Sequence, residues 1–169
     1  SLLWVGWFGF NAGSNLEANG TAVLAMVNTV VATAAAALAW MFVEWLIRGK
    51  PSMLGIISGA VSGLVAVTPA AGFSGPMGAI VLGAVAGAAC LWGVTVMKRW
   101  IGYDDSLDVF GVHGIGGVIG ALGTGVVASP ALGGTGVFDY ATGAVAEFNI
   151  VRQVMNQAWG VGVAIVWSA

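Results

Sequence analysis

Apolar residues fill the chain in long blocks, and charge falls between the blocks rather than inside them. No charge occurs between Glu17 and Glu44, between Lys50 and Lys98, or between Asp108 and Asp139. A membrane-crossing helix needs about 20 apolar residues, so each interval is long enough to span lipid. The interval from Pro51 to Met97 is long enough for two spans, with TPAAGFSGP as the turn between them. The pattern predicts spans near 2–15, 21–46, 53–70, 77–97, 107–129 and 150–169, joined by short loops into one transmembrane domain over 1–169. The first block lacks the basic start and cleavage site of a signal peptide, and the last stops inside an apolar run. The chain therefore reads as a fragment cut within helices at both ends.

Composition agrees with an all-α polytopic membrane protein. Hydrophobic residues make up 59% and charged residues 7% of the chain, against about 25% charged in soluble domains. Mean hydropathy is +0.96. A net charge of −2 offers nothing to nucleic acid. Cys90 stands alone in an apolar run, so no intramolecular disulfide forms and a small packing residue is expected. Arg48 and Lys50 follow the second block, and Lys98 and Arg99 the fourth, which assigns that side to the cytoplasm. Loops 16–20, 71–76 and 130–149 carry acids but no Lys or Arg and face outward, while Arg152 at the outer end of the last span snorkels to the interface.

The stretch DDSLDVFGVHGIGG, 104–117, holds the single histidine of the chain. Asp105 is a helix N-cap candidate, and Asp108 sits three residues on, where a carboxylate reaches back to free N–H groups. His113 then falls about seven residues into the helix, roughly 10 Å deep at 1.5 Å per residue. Ionisable groups at such depth face the bundle interior or a water path rather than lipid. Val109, Phe110, Gly116 and Gly117 share its helical face, so burial without a counter-charge favours the neutral imidazole. Glycines at 111, 114, 117, 120 and 123 leave a strip for close helix packing. Near the other membrane face, Phe10 and Ser14 are four apart with Trp7 one turn below. An aromatic ring beneath a hydroxyl there can hold a small cation, although aromatic residues at an interface are usually anchors. One histidine without acid or cysteine neighbours makes a poor metal site, and no nucleophile and base pair argues for an enzyme.

Four long motifs, WFGFNAGS at 7–14, ANGTAVLAMVNTVVATAAAALAW at 18–40, RGKPSMLGIISGAVSGLVAVTPAAGF at 48–73 and DDSLDVFGVHGIGG, resemble the ammonium transporter (Amt/Mep/Rh) family on its Amt branch. The resemblance implies an eleven-helix fold of two inverted five-helix halves and a last long helix, of which this chain is the second half plus the start of the final helix. It implies a homotrimer in the cell membrane with one pore per subunit, ammonium or ammonia as substrate, methylammonium as analogue, and no cofactor. Phe10 then matches the inner phenylalanine of the outer gate, Ser14 the recruitment site and His113 one of two pore histidines. Val109 lines the pore beside it, with Trp7, Asn11, Thr68 and Trp92 as supports. A PII-type signalling protein is the partner implied on the cytoplasmic face. Two alternatives stand beside transport: an ammonium sensor of the same fold, and an inactive fragment that needs its missing first half.

Overall fold

Local chemistry sets several of the helix ends. A computed structural model describes residues 2–139 and 141–168. Helix α1 (Leu2–Asn11) runs into a short 3-10 turn at Gly13–Asn15. Helix α2 (Gly20–Arg48) starts where Asn19 accepts the N–H groups of Thr21 and Ala22 with its side chain, and it ends at Gly49 with φ 74°. Helix α3 (Met53–Val67) is capped by Ser52, whose hydroxyl accepts from Gly55 N–H at 3.0 Å. Helix α4 (Pro76–Trp92) opens on a proline, which suits the first turn of a helix. A widened π turn at Gly93–Met97 carries it on into α5 (Lys98–Ile101). A second π turn, Phe110–Gly114, leads into α6 (Ile115–Val127), and α7 (Ile150–Ser168) closes the described chain. A two-residue hairpin, β1 (Phe138–Asp139) with β2 (Ala144–Val145), decorates the loop before α7.

Four helical segments among the described residues are long and apolar enough to cross a membrane: Gly20–Arg48, Met53–Ala70, Pro76–Ile101 and Phe110–Val127. The fourth block of the sequence pattern stays helical four residues beyond Met97, because the π turn absorbs an extra residue without ending the helix. The next helix begins at Phe110 rather than near 107, because residues 105–108 form a turn, with Asp108 N–H on Asp105 O at 3.1 Å and Asp108 at φ 55°.

The core lies between α2, α3 and α4 and is made from small residues. Ala32, Ala36, Ala66, Ala79 and Ala86 are fully buried. An added Cβ on Gly83 or Gly87 would collide with the carbonyl oxygens of Ala32 or Ala36, and one on Gly63 would stand 2.7 Å from Ala32 O. Backbone therefore meets backbone where larger residues would hold the helices apart, which is how helices associate when lipid supplies no hydrophobic drive. Helix α6 joins the core through Gly120 against the Ala66 carbonyl, Gly116 against Val65 and Cys90, and Gly123 against Leu82. The strip expected at every third residue does not pack as one surface. A step of three on a helix of 3.6 residues per turn drifts by about 60°, so Gly117 meets nothing within 4 Å and Gly114 meets only the Phe110 ring. Helix α7 packs chiefly on α6, with Gly125 against the Val154 backbone.

Polar side chains close the two ends of this bundle. At one end, Asn28 Nδ2 donates to Ala71 O at 2.8 Å and Ser74 O at 2.7 Å, and Thr135 N–H donates to Phe73 O, tying the loops around 71–76 and 130–136 together. At the other end lie Arg48, Ser52, Thr95, Arg99 and Asp108, around adjoining cavities. Gly83→Ala should lower the thermal midpoint in detergent by an amount equivalent to about 1–3 kcal/mol, the cost of overpacking. Gly20→Ala, with open space around it, should leave the midpoint unchanged or raise it.

Candidate functional site

Helix α1 brings together most of the residues singled out near the first membrane face. Trp7 Nε1 donates to Thr68 Oγ1 at 2.8 Å, and that hydroxyl donates in turn to Leu64 O at 2.8 Å. The indole is thereby fixed on α3, and it meets the Phe10 ring edge to face at 5.8 Å and 65°. One position on, Asn11 is buried and donates from Nδ2 to Thr29 Oγ1 on α2 at 3.0 Å, while its Oδ1 has no hydrogen-bond partner. These bonds anchor α1 to both α2 and α3 and leave Phe10 standing out, 61% exposed. Ser14 lies in the 3-10 turn after the helix instead of on it. Its exposed hydroxyl donates to the Phe10 carbonyl oxygen, which the end of the helix leaves free.

His113 occupies the π turn Phe110–Gly114, in the first turn of its helix rather than two turns in. The late start at Phe110 accounts for the difference. The sequence pattern turns the ring toward the bundle interior or a water path rather than lipid, and within this chain His113 is exposed, as are Val109 and Phe110. The opposite side of the turn is the part that the bundle consumes: Gly111 and Val112 are buried, and a Cβ on Gly111 would collide with Val94 Cγ1 and stand 3.3 Å from Val94 N. A Cβ on Gly93 would collide with Ile115 Cδ1 in the same way. The two π turns thus pack against each other through their glycines, and His113 points away from that contact. Among the described residues it has no hydrogen-bond or ion-pair partner. Trp92, just before the first π turn, is about half exposed. No hydrogen bond or ring contact joins Trp92 or His113 to the α1 group.

The acidic start of the His113 segment works differently from a capping box. Asp105 does accept a backbone N–H, that of Gly111 at 3.1 Å. Asp108 does not reach back: Lys98 Nζ donates to its Oδ1 at 2.7 Å and also to the Asp105 carbonyl oxygen. A cation on the preceding helix adds a full opposite charge at 2.7 Å, which a backbone amide does not offer that carboxylate. The result ties the start of α5 to the start of the His113 turn.

Glu44 does not stand out in the sequence, where it reads as the edge of an apolar block. It is 2% exposed and bonded through both carboxylate oxygens. Arg48 Nη1 donates to Oε1 at 2.8 Å, Ser52 N–H donates to Oε2 at 3.1 Å, and Ser52 Oγ lies 3.1 Å from both carboxylate oxygens. The signal in the sequence is a carboxylate eight residues before a serine N-cap, across a glycine and a proline.

A family model described as "Ammonium Transporter Family" matches residues 1–169. The chain is 52% identical over 168 residues to the ammonium transporter of Aquifex aeolicus (strain VF5), covering 99% of this chain and 38% of that protein. The crystal structure of Saccharomyces cerevisiae Mep2 superposes with a TM-score of 0.84 at 34% identity, over 98% of this chain and 39% of Mep2. A structure described as "Sensor Amt Protein" does so with a TM-score of 0.85 at 30% identity, over 98% and 38%. The chain thus spans less than two fifths of the length of each. The all-α polytopic fold expected from the sequence is the fold of these structures.

The Trp7 and Thr68 bond is a testable part of this geometry. Trp7→Phe and Thr68→Val should each destabilise the protein, and a double-mutant cycle on thermal unfolding should give a coupling of about 1 kcal/mol.

Proposed function

This chain belongs to the ammonium transporter family, and we propose that it supplies part of a path by which ammonium crosses a cell membrane. The observation that carries the reading is His113: an exposed, unpartnered imidazole on a helix otherwise apolar enough to cross lipid. Hydrocarbon is a poor neighbour for that ring, so its face belongs against protein or against a polar path. The named transport function of the Aquifex relative supports the second choice.

Intact ammonium is strongly hydrated, and carrying it through a narrow apolar passage costs several kcal/mol unless its charge is compensated or removed. Removing the proton is the cheaper route. The outer mouth is formed by Trp7, Phe10 and Ser14. The aromatic faces attract the cation, and Ser14, whose proton is committed to the Phe10 carbonyl, offers its oxygen as an acceptor. Phe10 then serves as the gate at which the proton passes to water of the outer mouth, and ammonia moves on to His113, where an imidazole nitrogen exchanges hydrogen bonds with it, and then past Val109, one turn nearer the cytoplasm. Potassium has no proton to lose and is excluded. Trp92, Asn11 and Thr68 support this path by position rather than by contact with the substrate.

The same reading places the Arg48, Lys50, Lys98 and Arg99 end in the cytoplasm and the working unit in a homotrimer. Arg48 and Lys98 are already paired with Glu44 and Asp108, so Lys50 and Arg99 are the cations left to meet a PII-type partner. Transport is preferred to sensing because the curated relatives are named as transporters.

His113→Ala in the complete natural protein should reduce methylammonium uptake at least tenfold or let potassium compete with ammonium. Unchanged uptake together with unchanged ion selectivity would remove His113 from the mechanism.

A further inference from the structure

Away from the residues proposed for transport, a cavity of about 130 Å³ opens between α2, α3 and α4 beside Trp40, Glu44, Ser52, Gly55, Thr95 and Asp108. Its inner wall is the N-terminal turn of α3. Trp40 is 3% exposed and its indole Nε1 has no hydrogen-bond partner, a costly state for a buried donor if nothing compensates. Glu44 is as deeply buried. The point where a side chain at Gly55 would begin is surrounded by polar atoms: a Cβ there would collide with Glu44 Oε2 and stand 2.8 Å from both Ser52 Oγ and Trp40 Nε1. A donor with no acceptor, a carboxylate oxygen and a hydroxyl thus crowd against the backbone of Gly55, where no side chain fits, and the residues that carry them line the cavity space beside it.

We propose that this space is a binding site for one small neutral molecule that both accepts and donates hydrogen bonds, of the size of water or ammonia. Its lone pair takes the Trp40 N–H, and its own hydrogen goes to Glu44 Oε2, which already receives Ser52 N–H. A cation without a lone pair, ammonium included, leaves Trp40 unsatisfied, and a bare anion meets the Glu44 carboxylate head on. Buried polar groups are ordinarily satisfied in this way by a held molecule with two or more polar partners. The site ties the indole of α2 to the capped start of α3. It does not depend on the transport reading, because none of its residues belongs to the proposed path.

Two measurements on the complete protein in lipid nanodiscs test it. A cryo-EM map at a resolution that shows ordered water should contain a peak within hydrogen-bonding distance of Trp40 Nε1 and Glu44 Oε2. Trp40→Phe, which keeps the bulk but removes the N–H, should lose the peak with the fold intact, and Gly55→Ala should expel it. A direct Trp40 to Glu44 hydrogen bond with no peak between them, or a peak that persists in Trp40→Phe, would overturn the proposal. The ¹⁵N shift of the Trp40 indole then identifies the occupant. Water predicts a shift independent of added ammonium chloride, whereas ammonia predicts a saturable change that sodium chloride does not reproduce.

Discussion

Everything in this bundle depends on how closely α2 can approach α3 and α4. Lipid gives apolar side chains no reason to leave it, so association must come from contact and from the polar groups that lipid cannot satisfy. The carbonyl oxygens of Ala32 and Ala36 lie against Gly83 and Gly87, and Gly63 reaches Ala32 and Thr33 from the other side. Alanine and glycine at these positions convert three apolar rods into one body. The Trp7 hydrogen bond to α3, the Asn11 bond to α2 and the Glu44 carboxylate at the Ser52 cap all require that spacing to be met first.

The polar residues divide according to that body. Asn28 holds two loop carbonyls at one end, while Glu44, Arg48, Lys98 and Asp108 form two ion pairs at the other. Between them the packed faces are nearly free of ionisable groups. His113 is the exception in kind: it is exposed, unpartnered and set on the outer side of a turn whose inner side is all contact. A side chain kept out of the core in this manner is available to whatever covers that face.

Charge-free intervals and motifs made the helical blocks, the polytopic class and the family legible in the sequence, since each of those depends on composition and order alone. The pairing of Phe10 with Ser14 was readable from their spacing, although the contact runs through the Phe10 backbone rather than the ring. The features that stayed hidden depend on irregular backbone or on distant partners. Periodicity assumes 3.6 residues per turn, so two π turns and the left-handed Asp108 were invisible, and with them the position of His113 along its helix. Lys98 competes for Asp108 from ten residues away, and Glu44 looks like a block boundary until Ser52 is folded against it.

A π turn is an α-helix holding one surplus residue, and the surplus sets the angle between the residues on its N-terminal side and the helix on its C-terminal side. Each residue of an α-helix advances about 100° around the axis. Leu91 and Trp92, on the N-terminal side of the Gly93–Met97 turn, are therefore phased against α5 by an insertion rather than by any single side chain. The azimuth of Lys98, and so its reach to Asp108, becomes a matter of residue count: a lineage that lost one residue from this turn would keep every motif letter on either side and still point α4 and α5 in different directions.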